Sequence, residues 1–412
     1  VAATATAIGL PDALGGAAGT ALLLALAVTP AFFDPQVRAG FEAAKALELR
    51  SLVALAGLLA LFALRSRPRL PALSLPVGLV LASHLLSAAF SVAPWRSVFG
   101  GETRLEGLLT LAALAAVFLG VARLARGLTL DVLAASSVPV VLYAALQRLG
   151  LDPVAWTVQF AESRLSATLG NPIFLGSLLV LLTPLTVARA LERGGAARAG
   201  LLLLAAAQAA ALLATGSRGP WLGALVGALA FLALASAETR ARWLPALALG
   251  LGVAGGIGLG LLNWPGGPLE RLREQPALRR LAHLAQRNPE GEGRPLVWQG
   301  ALELFARRPL LGQGPETFDL VFPGVAPPEL ARAERIQPRS LPDGSTEASP
   351  RIPDRAHSEL VDALALRGAS GALADLALLA SALLLLLRHL GPSRRAGLGL
   401  LGAATLGAAL AA

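Results

Sequence analysis

The 412-residue chain has no cysteine, no methionine, a single lysine, a single tyrosine and only 5% aromatic residues. Without cysteine there is no disulfide framework, no thiolate metal site and no cysteine nucleophile. Without methionine, the natural start is expected outside these residues, and any targeting segment ahead of Val1 is out of view. Lys45 is the lone lysine and every other basic side chain is Arg, a bias compatible with a GC-rich or thermophilic source. Aromatics are sparse and the apolar stretches do not alternate with polar residues, so the sequence does not read as a membrane β-barrel.

What is abundant is Leu and Ala, in repeated apolar runs close to 20 residues, with 55% hydrophobic residues overall and a mean hydropathy of +0.64. No water-facing shell can be built from such a composition, so the expected fold is all-α, a polytopic helical membrane protein. Apolar windows fall near 13–32, 50–65, 74–91, 106–123, 129–149, 170–189, 199–215, 219–236, 243–263, 369–388 and 395–412. Every second connection is Arg-rich: Arg65, Arg67 and Arg69; Arg123 and Arg126; Arg189, Arg193 and Arg198; Arg240 and Arg242; Arg388, Arg394 and Arg395. The positive-inside rule makes these cytoplasmic. Connections 33–49, 92–105, 150–169, 216–218 and 264–358 then open on the opposite face, and they carry all the unusual residues.

Three segments result: transmembrane helices one to nine over 1–263, a long external loop over 264–358, and C-terminal transmembrane helices over 359–412. Within the loop, 268–287 and 295–308 have helical periodicity, the second with Val297, Ala301, Leu304 and Phe305 on one stripe and with Pro295 expected at its first helical position. Such helices lie along the membrane surface. Residues 323–356 mix Pro, Gly, Ser and charge without period and read as an irregular flap. The net charge of +9 suits anionic lipids and, because the excess partly reflects topology, carries no argument for nucleic acid, so no nucleic-acid partner is expected.

Several residues at the external face have chemistry to offer. Arg218, in Thr215-Gly216-Ser217-Arg218-Gly219-Pro220, either snorkels to set helix depth or offers its charged fork to phosphate oxygens. Arg294 is either a solvated loop charge or a second cation on the same face. His357, in Arg355-Ala356-His357-Ser358-Glu359-Leu360, is either an interfacial hydrogen-bonded ring or a proton acceptor working near neutral pH. Asp354, Glu359 and Asp362 are close enough in sequence to orient it. Arg104 in the Gly100-Gly101 loop, and Arg164 and Asn171 where the chain enters the sixth window, are possible further substrate contacts. His283 looks structural, His84 is mid-span and His389 cytoplasmic. No Asp-x-Asp pair supports a metal clamp, and neither metal nor cofactor is expected.

Taken in order, Gly100…Arg104-x-Glu106-Gly107, Arg164…Gly170-Asn171-Pro172, Ser217-Arg218-Gly219, Arg294…Trp298…Pro309-Leu310-Leu311-Gly312-x-Gly314 and His357-Ser358-Glu359-Leu360…Gly368…Gly371 resemble the O-antigen ligase and O-antigen polymerase superfamily over roughly residues 95 to 371. The resemblance implies a polytopic glycosyltransferase of the bacterial inner membrane with its active site on the periplasmic face. Such an enzyme moves a glycan from undecaprenyl diphosphate to a hydroxyl acceptor on glycan, lipid or protein, without a metal. It also implies that Arg218 and Arg294 hold the diphosphate and that His357 activates the acceptor from the opposite face, with inversion at the anomeric carbon. Family members often carry His-Asn where this chain has His357-Ser358, and usually twelve spans where eleven windows are counted. A polymerase using a second lipid-linked repeat as acceptor is the alternative, and a lipid-linked glycan transporter the rival from another class; for the latter His84 is the one mid-span titratable group.

Overall fold

The computed structural model describes residues 10–36, 40–63, 70–154, 164–239, 250, 257–258, 260–264, 266–273, 289–333, 339–340, 346–347 and 353–389. Helices α1 (Leu10–Val28), α2 (Glu42–Ala63) and α3 (Ser74–Ala89) are followed by a short α4 (Pro94–Phe99), then α5 (Leu108–Val121), α6 (Arg126–Arg148), α7 (Pro172–Glu192), α8 (Gly195–Ala214) and α9 (Arg218–Thr239). After these come α10 (Pro289–Arg307), the short α11 (Phe318–Val321) and α12 (Pro328–Ala333), and finally α13 (Glu359–His389). The first eight apolar windows and the window 369–388 each fall on a helix. Windows 243–263 and 395–412, and most of the stripe 268–287, lie largely outside the described residues.

Four of these helices are long and apolar enough to cross a bilayer: α6, α7, α8 and the stretch Glu359–Leu385 of α13. Gly15–Val28, Ser74–Ala89 and Leu108–Val121 are shorter apolar helices. The chain is a multi-pass helical membrane protein. The one strand pairing among the described residues is a two-residue antiparallel contact, Arg339–Ser340 against Thr346–Glu347.

The chain divides into two compact units, one of residues 1–81, 99–231 and 380–412, the other of 82–98 and 232–379. In the first, small residues let helices approach closely, as they do where lipid supplies no hydrophobic drive for association. A Cβ on Gly120 of α5 would sit 2.4 Å from Leu22 of α1, and one on Gly176 of α7 would sit 2.6 Å from Pro220 of α9. Val140, Ala144, Leu175, Leu179 and Leu212 form an apolar core among α6, α7 and α8. Across it the fully buried Gln208 donates to Ser137 (2.6 Å) and Thr186 (3.0 Å).

The two ends of this unit differ. At one end Arg189, at the close of α7, holds Asp131 of α6 through two parallel bonds (2.8 and 2.9 Å), with Arg193 and Glu192 completing the cluster. The connections carrying Arg123 and Arg126 and those carrying Arg189 and Arg193 therefore share one end. At the other end Lys45 donates to Thr168 O (2.6 Å) and to Phe32 O, Thr168 Oγ1 to Pro30 O (2.9 Å), and Leu165 N to Ala214 O (3.4 Å). Two of the Arg-rich connections thus share one end of this unit, and connections 33–49 and 150–169 share the other.

The second unit is held by Val297, Ala301 and Leu304 of α10 against Phe318, Phe322, Leu330, Ala356 and Ala365. The rings of Phe318 and Phe322 stack 4.9 Å apart. Gly300 lets Phe322 lie against α10, because a Cβ there would lie 2.7 Å from Phe322. Helix α10 begins at Pro289, so Pro295 lies inside it and not at its start. The preference for Pro at the first helical position is met six residues earlier than the sequence pattern suggests, by Pro289 itself.

Candidate functional site

His357 sits on the irregular segment that leads into α13. Its backbone is left-handed, at φ 54°. A non-glycine residue in that region costs of order 1–3 kcal/mol and persists only where its surroundings over-determine it. Those surroundings are visible on both sides of Ala356, which is fully buried. Asp362 Oδ1 accepts from Ala356 N (2.8 Å), and Trp298 Nε1 donates to Ala356 O (2.8 Å). One residue earlier, Arg355 is 3.7 Å from Glu316, itself left-handed at φ 60°. Glu316 O in turn accepts from Arg96 Nε (2.6 Å), and Arg96 forms a bidentate pair with Asp319 (2.8 and 2.7 Å). The peptide before His357 is pinned from three directions while the His357 residue remains exposed.

Arg294 lies on α10 one turn before Trp298, and is exposed. Residues four apart share a helix face, so Arg294 and Trp298 lie on one side of α10. Asp354 is exposed three residues before His357. Glu359 is exposed and lies 3.8 Å from Arg367, and the acid that holds the His357 segment is Asp362.

The segment Pro309–Gly314 supports this region from beneath. Helix α13 is broken at Gly368 (φ 63°, ψ −163°), a conformation essentially confined to glycine. The break frees backbone groups, and the passing segment takes them up. Ala369 N donates to Pro309 O (2.8 Å) and Ser370 N to Leu310 O (3.2 Å), while Gln313 N donates to Ala365 O (3.1 Å) and Gly314 N to Leu366 O (2.8 Å). A Cβ on Gly312 would lie 2.3 Å from Leu366 C, and one on Gly368 would lie 2.4 Å from Leu310 C. Gly371 makes room for the buried Arg367, which pairs with Asp375. Gly312 and Gly368 are there because two backbones touch.

The first unit gathers a separate set. Thr215 and Ser217, both buried, frame Gly216 (φ 60°) in the connection that ends in Arg218 at the start of α9. Arg164 donates to Thr215 O (3.1 Å) and to Ser217 Oγ (2.8 Å), so Arg164 and the half-buried Arg218 meet at this one connection. Asn171 caps α7, its Oδ1 accepting from Ile173 N (2.8 Å) ahead of Pro172, which gives that residue a structural task. Arg104 lies half-buried in the turn Gly101–Leu105, which Arg50 braces through Phe99 O (2.8 Å) and Leu105 O.

Sequence reasoning missed Trp298 and Glu316 as holders of the His357 segment, Arg50 as the brace of the Arg104 loop, and Lys45. The spacing Arg294…Trp298 was a usable signal, since it places both on one helix face. Lys45 stands at the start of α2, ahead of the apolar window 50–65. Burial pushes its ammonium down to about 8, against the pull of Glu42 and Glu48. Among the described residues no three His, Asp or Glu side chains gather as around a metal ion.

A family model described as O-antigen ligase matches residues 200–374. That stretch holds Arg218, Arg294, Trp298, Gly312, Gly314, His357, Gly368 and Gly371, whereas Arg104, Arg164 and Asn171 precede it. Comparison with curated proteins gives no match.

Proposed function

From the membership of residues 200–374 in the O-antigen ligase superfamily, a family of ligases and polymerases that act on glycans, we propose that the chain is an inverting glycosyltransferase. It takes a glycan from undecaprenyl diphosphate and delivers it to a hydroxyl acceptor at the periplasmic face of a bacterial inner membrane. The observation that carries this reading is His357, held by Asp362, Trp298 and Arg355 in a strained backbone and left open to solvent. A backbone held at such cost fixes where the exposed side chain starts, which suits a general base that must meet a hydroxyl at hydrogen-bond distance.

In this reading the neutral imidazole of His357 takes the acceptor proton as the acceptor oxygen attacks the anomeric carbon. The bond to the diphosphate breaks on the opposite side, and the leaving group gathers negative charge. Arg218 and Arg294 are assigned to that charge, where pre-oriented guanidinium groups stabilise it more than water does. Arg164, which shares the Ser217 connection with Arg218, is a further contact for the glycan or its diphosphate. Asp354 and Glu359 are assigned to the electrostatics around the ring.

The test is transfer in proteoliposomes supplied with undecaprenyl-diphosphate-linked glycan and separate acceptors. Dependence on added lipid A core or another acceptor supports a ligase, and a ladder grown from lipid-linked repeats alone supports a polymerase. Translocation of the lipid-linked glycan with no bond cleavage overturns the proposal in favour of transport.

A further inference from the structure

Among the described residues of the second unit, two that are not glycine hold left-handed backbones: Glu316 (φ 60°) and His357 (φ 54°). They stand on separate segments, and an ion pair joins those segments, Arg355 to the Glu316 carboxylate at 3.7 Å. Glycine takes such a backbone without strain, so a glutamate there is accounted for by what its side chain does. The Glu316 side chain is 13% exposed and that of Arg355 29%, which shields the pair from the screening that leaves most surface pairs worth little.

Helix α4 fixes the backbone from which Glu316 reaches Arg355. Ser97, fully buried, donates to Pro315 O (2.7 Å), and Arg96 Nε donates to Glu316 O (2.6 Å), so both peptides that flank the Glu316 Cα are held. The bidentate pair with Asp319 fixes Arg96, and Val92 N donates to Gln313 O (3.0 Å) on the same turn. Thr317, also fully buried, closes that turn onto Gly314 O (2.7 Å). A carboxylate launched from a fixed backbone loses less freedom on pairing than one on a mobile loop. Arg355 in turn enters the segment whose next two peptides, on either side of Ala356, are taken by Asp362 and Trp298. We propose that Glu316 and Arg355 form a charge latch that positions His357 for proton transfer, with Arg96 acting through Glu316. The inference deepens the transferase reading and rests on it. Arg96 precedes residues 200–374 and so lies outside the family match.

The experiment measures kcat and KM per folded molecule of the full chain in the proteoliposome transfer assay. Glu316→Gln and Arg355→Gln each remove one half of the latch, and each is expected to lower kcat about fivefold with KM changed less than about twofold. The double variant is expected to stay near fivefold, because the second change removes nothing further, whereas independent sites would multiply to about 25-fold. Glu316→Gly relieves the backbone strain while removing the carboxylate, and kcat is still expected to fall about fivefold, a loss that a purely structural role for Glu316 does not produce. Arg96→Gln is expected to lower kcat in the wild-type background and to add nothing to Glu316→Gln. Arg96→Lys, which keeps the charge and loses the two-pronged hold, serves where Arg96→Gln does not fold. An unchanged kcat in both single variants, a double variant near 25-fold, or a further fall when Arg96→Gln joins Glu316→Gln would each overturn the latch. His357→Ala keeps the two readings apart. Loss of transfer there beside full kcat in the latch variants overturns the latch alone, and full transfer there overturns the transferase reading and the latch with it.

Discussion

The side chains that hold His357 make separable contributions. Trp298 touches the backbone oxygen of Ala356 and not the imidazole, so it acts as a positioning residue. Trp298→Phe removes one donor while keeping much of the ring's packing, and a hydrogen bond of about 1 kcal/mol predicts a small loss of thermal stability beside a fall in kcat of roughly fivefold with little change in KM. Steady-state transfer kinetics per folded molecule beside a melting curve check this. A lowered melting temperature with kcat unchanged would assign Trp298 to the fold alone. Lys45 gives a second test, because it is the single lysine. With its pKa lowered to about 8 from the usual 10.5, its amine becomes reactive as pH rises through about 8. Peptide-resolved acylation across pH 6–11 reads the midpoint directly, and a midpoint near 10.5 would show that Lys45 is not buried as described. Arg218, Arg294 and His357 were legible as residues because charge at an apolar boundary is conspicuous. The strain at His357 was not, since a positive φ in a non-glycine residue leaves no mark in sequence.

Helices α1 to α3, α5 to α9 and α13 follow from apolar windows, and their ends agree with the sequence reading to within a few residues, except at the starts of α2 and α13. There Glu42, Lys45 and Glu48, and likewise Glu359, Asp362 and Arg367, lower the hydropathy below what a window can register, yet their backbones are helical. Lys45 and Asp362 find partners among backbone groups, and Arg367 finds Asp375. The break in α13 depends on Gly368 more than on any other residue. Gly368→Ala must place a side chain into the backbone of Leu310 in a conformation closed to it, and a loss of at least about 2 kcal/mol is expected. Gly57→Ala, in the interior of α2 with open space around it, is the control and is expected to be neutral or slightly stabilising, by about 0.5–1 kcal/mol at most. Thermal unfolding in one detergent ranks the two, and equal melting temperatures would mean that the break carries no strain. Sequence marked Gly312, Gly314, Gly368 and Gly371 as a pattern, but only the fold shows that the first and third face each other's backbones.

Across the whole chain, the absence of cysteine permits single-cysteine labelling with no background. Thr103→Cys and Asp354→Cys, in connections read as external, are expected to react with a membrane-impermeant thiol reagent in intact spheroplasts. Arg193→Cys, beside the Asp131–Arg189 cluster, is expected to react only after permeabilisation. Reversed labelling would put the His357 segment in the cytosol and remove the periplasmic reading. The most direct measurement of the central claim is transfer from undecaprenyl-diphosphate-linked glycan in proteoliposomes by wild-type protein and by His357→Ala, Arg218→Ala and Arg294→Ala, each shown by its melting curve to be folded. Loss of a general base costs about 10²–10⁴-fold and loss of a charge-stabilising donor about 10²–10³-fold, so all three variants are expected to fall at least about a hundredfold. Transfer by folded His357→Ala at the wild-type rate would contradict the account.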